Sequence, residues 1–389
     1  MSQTPGRHGT RVVWTAFIVA VFGWGVGFYG PAVYLPVLHE TRGWSIAFLS
    51  AAITAHYLVS AVLIIALPDV YRRFGVARVT SGGTLFAAAG AIVWANAQET
   101  WQLVPALVLS GAGWAAMSAA ALNAMVAPWF ERDRPQALSM AFNGASVGGI
   151  VFVPLWMALS SSIGLASAAV VVSVVMVAIV WPLANRILRR QPAAVVPRGQ
   201  PLSRLALLRQ PCFLTISVAF ALGLFAQIGL FSHLIARLEP EFGAALAAGA
   251  ISLITICAVL GRTLLGKFLG ARDRRLAAAA SLLVQTAGSL LLALGEGGVP
   301  LTAGCILFGL GVGNLVSLPP LIAQREFHPA DVGTVVALVT AINQSVFAFA
   351  PAILGGLRDS TGSYGASFLA AAAVQTVAAA VVAWGRRFS

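Results

Sequence analysis

One arginine lies inside an apolar stretch, where a charged side chain needs a compensating partner. Arg262 belongs to the segment GRTLLGKFLG, within an apolar run that covers about residues 246–269. If the run is a helix, Arg262 lies about eight residues, or about 12 Å at 1.5 Å per residue, from its end, beyond easy snorkelling to water. Backbone carbonyls or an anionic solute could compensate its charge. The planar guanidinium suits a carboxylate, which it can hold with two parallel hydrogen bonds.

A second set of polar side chains lies at or near the middle of other apolar runs. The set consists of Tyr29, His56, Gln227, Asn314, Asn343 and Gln344. Each could hydrogen-bond a small solute or tie two helices together, and His56 could also carry a proton near neutral pH. All twelve acidic residues, from Glu40 to Asp359, fall in polar segments or at the ends of apolar runs. The middle of the runs therefore offers no carboxylate to hold a cation or a proton.

The composition indicates what surrounds these side chains. Of 389 residues, 59% are hydrophobic and 9% are charged, with a mean hydropathy of +0.88, whereas about a quarter of a soluble domain is charged. The apolar runs suit membrane-spanning helices, and none alternates in polarity as a barrel strand does. The sequence predicts an all-α membrane protein with twelve transmembrane helices. The runs cover about residues 12–38, 44–67, 78–98, 101–126, 136–160, 164–188, 211–236, 246–269, 275–295, 299–323, 332–356 and 364–385.

The longest polar break divides the chain into similar halves. It covers residues 189–210 and separates six runs from six. A shift of 197 or 198 residues places Phe327 on Phe130, Pro351 on Pro154 and the basic segment 272–275 on 72–78. A parallel repeat of this kind is typical of transporters with a midmembrane site between two bundles. We predict two pseudo-symmetric six-helix bundles, residues 1–188 and 211–389, joined by a cytoplasmic linker at 189–210.

The basic residues are distributed unevenly along the chain, whose net charge is +12. If the first run starts in the cytoplasm, most basic residues fall at that face, and only Arg42, Arg237 and Arg358 fall at the other. By the positive-inside rule we expect a cell (inner) membrane protein with both termini in the cytoplasm. We expect the first run to be retained, because no convincing signal-peptide cleavage site follows it. Nucleic acid is not an expected partner, since the charge is spread over alternate loops.

Small residues follow a charged cluster between the fourth and fifth runs. The segment WFERDRPQALSMAFNGASVGG contains Glu131, Arg132, Arg134, Gly144, Gly148 and Gly149. Gly144 and Gly148 lie four residues apart, on one face of a helix, where small residues let a neighbouring helix approach backbone to backbone. The glycines predict a close helix contact that moves during gating.

The sequence resembles the major facilitator superfamily and, within it, the monocarboxylate porter and oxalate:formate antiporter-type branch. The resemblance rests on GFYGPAVYLPVLHETRGWS at 27–45, WFERDRPQALSMAFNGASVGGIVFVPL at 129–155, GRTLLGKFLGARDRR at 261–275 and ILGGLRDSTGSYGASF at 353–368. It implies a secondary active transporter that moves a small solute, most plausibly a small organic carboxylate, by alternating access. In the lactate-type carriers an arginine of the eighth helix binds the substrate carboxylate, and Arg262 stands at that place.

The resemblance also implies a gate made of ion pairs in the loops at one face of the bundles. Its expected members are Asp69, Arg72, Arg73, Glu131, Arg132 and Arg134. The superfamily usually has an acidic residue just before the Arg-Phe-Gly equivalent, where this chain has Arg72. Asp69, three residues earlier, could substitute for it.

Other functions remain open from the sequence. One is an antiporter or exporter of a neutral or drug-like solute, and another is a non-transporting membrane receptor or scaffold. An enzyme is not expected, because no nucleophile pattern, zinc motif or phosphate-binding loop occurs. We expect no metal and no cofactor, and Cys212, Cys257 and Cys305 lack ligand-like spacing. The expected partners are the lipid bilayer, a small solute, and a proton or counter-anion, bound by a monomer.

The predicted topology can be tested with reporter fusions after residues 195 and 389. Both reporters should be active on the cytoplasmic side, because the basic loops are retained there. An external signal at either position would contradict the topology.

Overall fold

The computed structural model of the chain describes residues 7–131, 133–190, 202–270 and 272–388. These residues form helices and connecting segments, with no strand among them. Twelve helices are long and apolar enough to cross a membrane, which confirms the predicted fold class. They are α1 (Arg7–Arg42), α2 (Ile46–Phe74), α3 (Val76–Asn96), α4 (Thr100–Trp129), α5 (Arg134–Ile163), α6 (Leu165–Ile187), α7 (Pro211–Gly243), α8 (Gly249–Leu269), α9 (Arg274–Leu294), α10 (Gly298–Glu326), α11 (Val332–Thr361) and α12 (Tyr364–Phe388).

The chain forms two compact units, Met1–Pro197 and Arg198–Ser389. Helices α1–α6 belong to the first unit and α7–α12 to the second. The predicted linker lies partly outside the described residues, and its described end contains a short helix, Arg204–Leu208. The N–H of Leu202 donates to Asp331 Oδ1 at 2.8 Å, just before α11. This hydrogen bond ties the segment before the short helix to the second unit.

The core of the second unit contains side chains of all six of its spanning helices, α7–α12. Leu230, Ile254, Leu292 and Phe308 are fully buried within one hydrophobic cluster. Large apolar side chains also cover outward faces, as Val62 and Val299 do. An apolar exterior is expected where hydrocarbon rather than water surrounds the helices.

Several spanning helices are interrupted rather than straight. The interruptions are a π-helical turn at Gly23–Phe28 in α1, a break between Ala115 and Ala119 in α4, a break at Gly313 in α10, and a break at Ala348 and Phe349 in α11. In the 197-residue register of the repeat, the breaks of α4 and α10 are equivalent. Irregular turns release backbone carbonyls, which side chains can then use. The turn in α1 is followed by Pro31, which has no N–H to offer the carbonyl of Gly27.

Glycines of α5 pack directly against the backbone of α1. A Cβ at Gly148 would lie 2.5 Å from the carbonyl oxygen of Val21, and one at Gly144 would overlap the carbonyl oxygen of Phe17. A Cβ at Gly149 would lie 2.7 Å from the ring of Tyr29. The structure thus contains the close contact that the small residues predicted, between α5 and α1.

Gly148→Leu should destabilise the protein, because its side chain would require α1 and α5 to separate. We expect the free energy of unfolding to fall by about 1–3 kcal/mol or more, the range for overpacked cores. The measurement is unfolding in mixed detergent micelles, followed by circular dichroism. Gly82→Leu is the matched control, since Gly82 of α3 has open space around its Cα hydrogen. Equal losses for the two variants would contradict a specific close contact.

Candidate functional site

Arg262 of α8 is buried against the break in α10. Its side chain is 3% exposed, and its Nε donates to the carbonyl oxygen of Gly313 at 2.8 Å. A Cβ at Gly313 would lie 2.5 Å from the carbonyl oxygen of Ala258 of α8 and 2.9 Å from one Nη atom of Arg262, so the close approach of α8 and α10 requires glycine there. The sequence left open a carbonyl or an anion as partner, and the structure supplies a carbonyl for Nε. That bond fixes the plane of the guanidinium.

Asn314 follows the break and connects α10 to α9. Its Nδ2 donates to Ser281 Oγ at 3.1 Å and to the carbonyl oxygen of Leu310 at 3.2 Å. Its buried Oδ1 has no hydrogen-bond partner within the described part of the chain. The break in α10 therefore places Arg262 and Asn314 beside each other, around Gly313.

A row of polar residues continues along the same face of α9. Ser281, Gln285 and Ser289 follow each other at four-residue spacing, which keeps them on one helix face, and all three are buried. Gln285 Nε2 donates to Gln227 Oε1 of α7 at 2.9 Å. We call Ser281, Gln285 and Ser289 the α9 polar row. It links the surroundings of Arg262 to Gln227.

Two further predicted residues lie on α11, shortly before its break. Asn343 and Gln344 are both buried, and Asn343 Oδ1 has no hydrogen-bond partner among the described residues. The structure thus places five predicted residues in the second unit: Arg262, Gln227, Asn314, Asn343 and Gln344. It connects the first three through Gly313 and the α9 polar row.

The other two predicted residues, Tyr29 and His56, belong to the first unit. His56 of α2 is fully buried, with Nε2 3.2 Å from the carbonyl oxygen of Gly27 and Nδ1 2.8 Å from Ser110 Oγ. A carbonyl can only accept, so Nε2 carries the proton and Nδ1 accepts from the hydroxyl when the ring is neutral. Trp94 Nε1 in turn donates to Ser110 Oγ at 3.2 Å. Both ring nitrogens of His56 are thus engaged within a structural network.

A small cavity lies beside this network. Its volume is about 10 Å³, and its lining includes Tyr34, His56, Trp94 and Ser110. The hydroxyl of Tyr34 is buried without a hydrogen-bond partner in the described residues. The cavity is near the lower size limit for a single water molecule, so it is too small for an organic solute.

The predicted gate residues make local contacts in the described parts of the chain. Arg72 pairs with Asp69 at 2.5 Å on an exposed surface, and the guanidinium of Arg73 lies 5.2 Å from the ring centroid of Phe74. The Nε of Arg134 donates to the carbonyl oxygen of Phe130 at 2.5 Å.

The other two members of the predicted gate are Glu131 and Arg132. Glu131 is exposed, and Arg132 lies outside the described residues. Asp69 pairs with Arg72, the residue that precedes the Arg-Phe-Gly pattern of Arg73, Phe74 and Gly75.

A buried ion pair at one end of the second unit was missed from the sequence. Arg275 of α9 is 1% exposed, and its Nε and one Nη each lie 2.8 Å from a carboxylate oxygen of Glu326 of α10. Further guanidinium bonds reach Thr215 Oγ1 at 3.1 Å and the carbonyl oxygen of Cys212 at 3.1 Å, both on α7. A two-pronged pair of this kind is strong and directional. It joins α7, α9 and α10.

Asp273, just before α9, forms a second charged contact at this end. It caps α9 by accepting from the N–H groups of Arg275 and Leu276, and it pairs with Arg386 Nε at 2.6 Å. Burial alone would raise the pKa of Asp273, but these hydrogen bonds and the charge of Arg386 together lower the pKa below its usual value. A lowered carboxyl pKa stabilises the fold above the pKa of the unfolded chain, and this contribution is lost as the pH falls through the folded value.

The helices and the buried polar residues are those of a membrane carrier. A family comparison gives the same result, since the pattern of the Major Facilitator Superfamily matches residues 13–351. The chain belongs to this superfamily of transporters and is a multi-pass membrane protein. Within the described residues, no group of three or more His, Cys, Asp or Glu side chains could hold a metal ion.

Two proteins are similar to the chain in sequence. MFS transporter asaE of Aspergillus flavus is 28% identical over 267 residues, which are 65% of this chain and 58% of that protein, less than two thirds of its length. Transcription regulatory protein OpdE of Pseudomonas aeruginosa is 28% identical over 276 residues, which are 70% of this chain and 67% of that protein.

Two solved structures share the fold. The human organic anion transporter MFSD10 has a TM-score of 0.71 at 15% identity, covering 98% of this chain and 100% of that one. The Escherichia coli fucose:proton symporter FucP has a TM-score of 0.71 at 19% identity, covering 97% and 99%. At these identities the likeness is one of fold.

Glu326→Ala should strongly destabilise the protein, because it leaves Arg275 buried without its carboxylate. Breaking a buried pair costs about 3–5 kcal/mol, which unfolding in mixed micelles can measure. Arg386→Ala is the control, since the Arg386–Asp273 pair is 46% and 36% exposed and an exposed pair contributes at most about 1 kcal/mol. Similar losses for the two variants would contradict the anchoring role of Arg275 and Glu326.

Proposed function

We propose that the protein is a secondary active transporter of a small organic carboxylate, which Arg262 recognises. The observation that carries this proposal is the guanidinium of Arg262, which is buried beside the break in α10 and only 3% exposed. An ionisable group among membrane-spanning helices is expensive and is usually functional. Gly313 holds Nε of Arg262, and a carboxylate would approach along the edge formed by the Nη atoms.

The residues around Arg262 support a ligand that both donates and accepts hydrogen bonds. Asn314 lies beside the break with an acceptor oxygen that has no described partner, and Gln227 is reached through the α9 polar row. Asn343, Gln344, Tyr29 and His56 remain proposed contacts of the solute. The resemblance to the monocarboxylate porter and oxalate:formate branch agrees with an anionic substrate. The fold does not select one, since a fucose carrier and an organic anion carrier share it.

Alternating access would follow from charge neutralisation at Arg262. A bound anion would add a negative charge beside the guanidinium, so the binding region could close and reopen on the other side of the membrane. Exchange for a counter-anion then requires no proton site on the protein. Proton symport would require His56, whose ring nitrogens are both engaged, or a substrate that brings its own proton. We therefore favour exchange.

The gate and the cellular setting complete the proposal. Asp69, Arg72, Arg73, Glu131, Arg132 and Arg134 would form and break ion pairs during the cycle, while Gly144, Gly148 and Gly149 let α5 move against α1. We place a monomer in the cell (inner) membrane, with both termini in the cytoplasm.

A membrane receptor is the second candidate. The Pseudomonas relative is named a transcription regulatory protein, which favours solute sensing without transport. A receptor would bind the same solute but would not move it across a bilayer.

The test is exchange of radiolabelled lactate or malonate by proteoliposomes that contain the unlabelled anion. Arg262→Lys keeps the charge but loses the fork, so binding should weaken by about 1–3 kcal/mol, and Arg262→Ala should weaken it further. His56→Gln separates the two coupling schemes, because pure exchange should keep its pH dependence in this variant, whereas proton symport through His56 should lose it. Melting curves verify that each variant is folded.

Three outcomes would contradict the proposal. Wild-type rates in both arginine variants would make Arg262 a structural brace. Transport of neutral or cationic solutes in place of lactate and malonate would indicate another carrier class. Binding of the anions without any flux would indicate a receptor.

A further inference from the structure

Three buried amides form a directed hydrogen-bond chain in the second unit. Ser289 Oγ donates to Gln375 Oε1 at 2.8 Å, and Gln375 Nε2 of α12 donates to Gln285 Oε1 at 3.1 Å. Gln285 Nε2 then donates to Gln227 Oε1 at 2.9 Å. We call Gln227, Gln285 and Gln375 the amide chain. It crosses from α12 through α9 to α7.

The amide chain determines what Gln227 can offer to a solute. Ser289, Gln285 and Gln375 are fully buried and Gln227 is 5% exposed, so each unmade hydrogen bond would be costly. Within the amide chain, Oε1 of Gln227 accepts from Gln285. Nε2 of Gln227 donates to no described residue, and it is not among the fully buried polar atoms that lack a hydrogen-bond partner. Gln227 therefore presents its N–H donors to a solute, while its acceptor Oε1 is bonded to Gln285.

We propose that Gln285 and Gln375 are positioning residues for the substrate, because they hold the Gln227 amide with its N–H groups toward the solute. This inference rests on the proposed function, since it needs a carboxylate at Arg262. It adds that the solute carries a second hydrogen-bond acceptor, which Gln227 binds. The substrate class is thus a small dicarboxylate or a keto acid rather than a simple fatty acid.

Arg262 and Gln227 are connected through residues of α10 and α9. Asn314, next to the Gly313 carbonyl that holds Arg262, bonds to Ser281, while Gln227 bonds to Gln285. Ser281 and Gln285 are four residues apart on α9, about 6 Å along its axis. A Cβ at Gly311 of α10 would lie 2.6 Å from Gln285 Cγ. Glycine at this position therefore leaves space for the side chain of Gln285.

The opposite orientation of the amide chain would have the opposite effect on an anion. If all three amides turned over, Gln227 would present Oε1, an acceptor that repels a carboxylate. The affinity for the solute then depends on the fraction of molecules in the donor orientation. In this proposal Gln375 does not touch the solute and acts on it only through Gln285 and Gln227. A variant of Gln375 therefore tests positioning without removing a direct contact.

The test compares binding of malonate and propionate, which share a three-carbon skeleton but differ in the second carboxylate. The dissociation constants are measured with radiolabelled probes on the purified full-length protein. Gln227→Met should raise the malonate Kd by about tenfold, the loss of one charged hydrogen bond, and should leave propionate nearly unchanged. Gln375→Met should raise the malonate Kd by about twofold to fivefold, because the Gln227 amide then samples both orientations.

A double-mutant cycle distinguishes positioning from a general loss of structure. Gln375→Met in the Gln227→Met background should raise the malonate Kd no further, because its effect passes through Gln227. Ser367→Ala is the matched control on α12. It removes a buried hydrogen bond to the carbonyl of Leu354 and should leave the malonate-to-propionate preference unchanged.

The possible failures are distinguishable. If Gln375→Met lowers the melting temperature but leaves the malonate preference intact, or if the losses of the two Met variants add, the positioning role is wrong while the carboxylate proposal stands. If Arg262→Lys leaves both dissociation constants unchanged, the carboxylate proposal is wrong and the inference falls with it.

Discussion

The cost of burying a positive charge among apolar helices is the constraint on which the second unit is built. An uncompensated ion in such surroundings loses several kcal/mol of hydration. Arg275 meets this cost with the carboxylate of Glu326 and with oxygens of α7. Arg262 has its Nε on a backbone carbonyl at the break of α10. The first arrangement is a full ion pair and suits a permanent joint, whereas the second includes a carbonyl, which carries only a partial charge.

Interruptions of the helices supply the acceptors that make buried polar residues tolerable. Pro31 cannot donate to the carbonyl of Gly27, and His56 donates to that carbonyl instead. Gly313 has no side chain, so Arg262 can approach its carbonyl closely. The interruptions of α1 and α10 thus supply the acceptors for His56 and Arg262.

The sequence predicted the helices well because apolar runs of this length have few alternative structures in a membrane. It also indicated that Arg262 lies within a helix, where the structure buries it, and that Gly148 lies in a close helix contact. The Gly313 break was not predicted, since glycine is common in spanning helices and breaks none by itself. Arg275 was interpreted as a loop charge, because its burial depends on Glu326 fifty-one residues later. The four-residue spacing of Ser281, Gln285 and Ser289 was visible in the sequence and could have revealed the α9 polar row. Gln375 could be connected to it only in three dimensions.

The two halves of the repeat are stabilised by different contacts. Arg275 is buried in an ion pair, whereas its counterpart in the repeat register, Arg78, is exposed. In the first half the tight joint is instead the glycine contact between α5 and α1. Contacts of the second kind depend on shape and hardly respond to ionic conditions. The two halves therefore differ in what damages them, since loss of a charge disrupts the ion pair of the second half and added bulk at Gly144 or Gly148 disrupts the helix contact of the first.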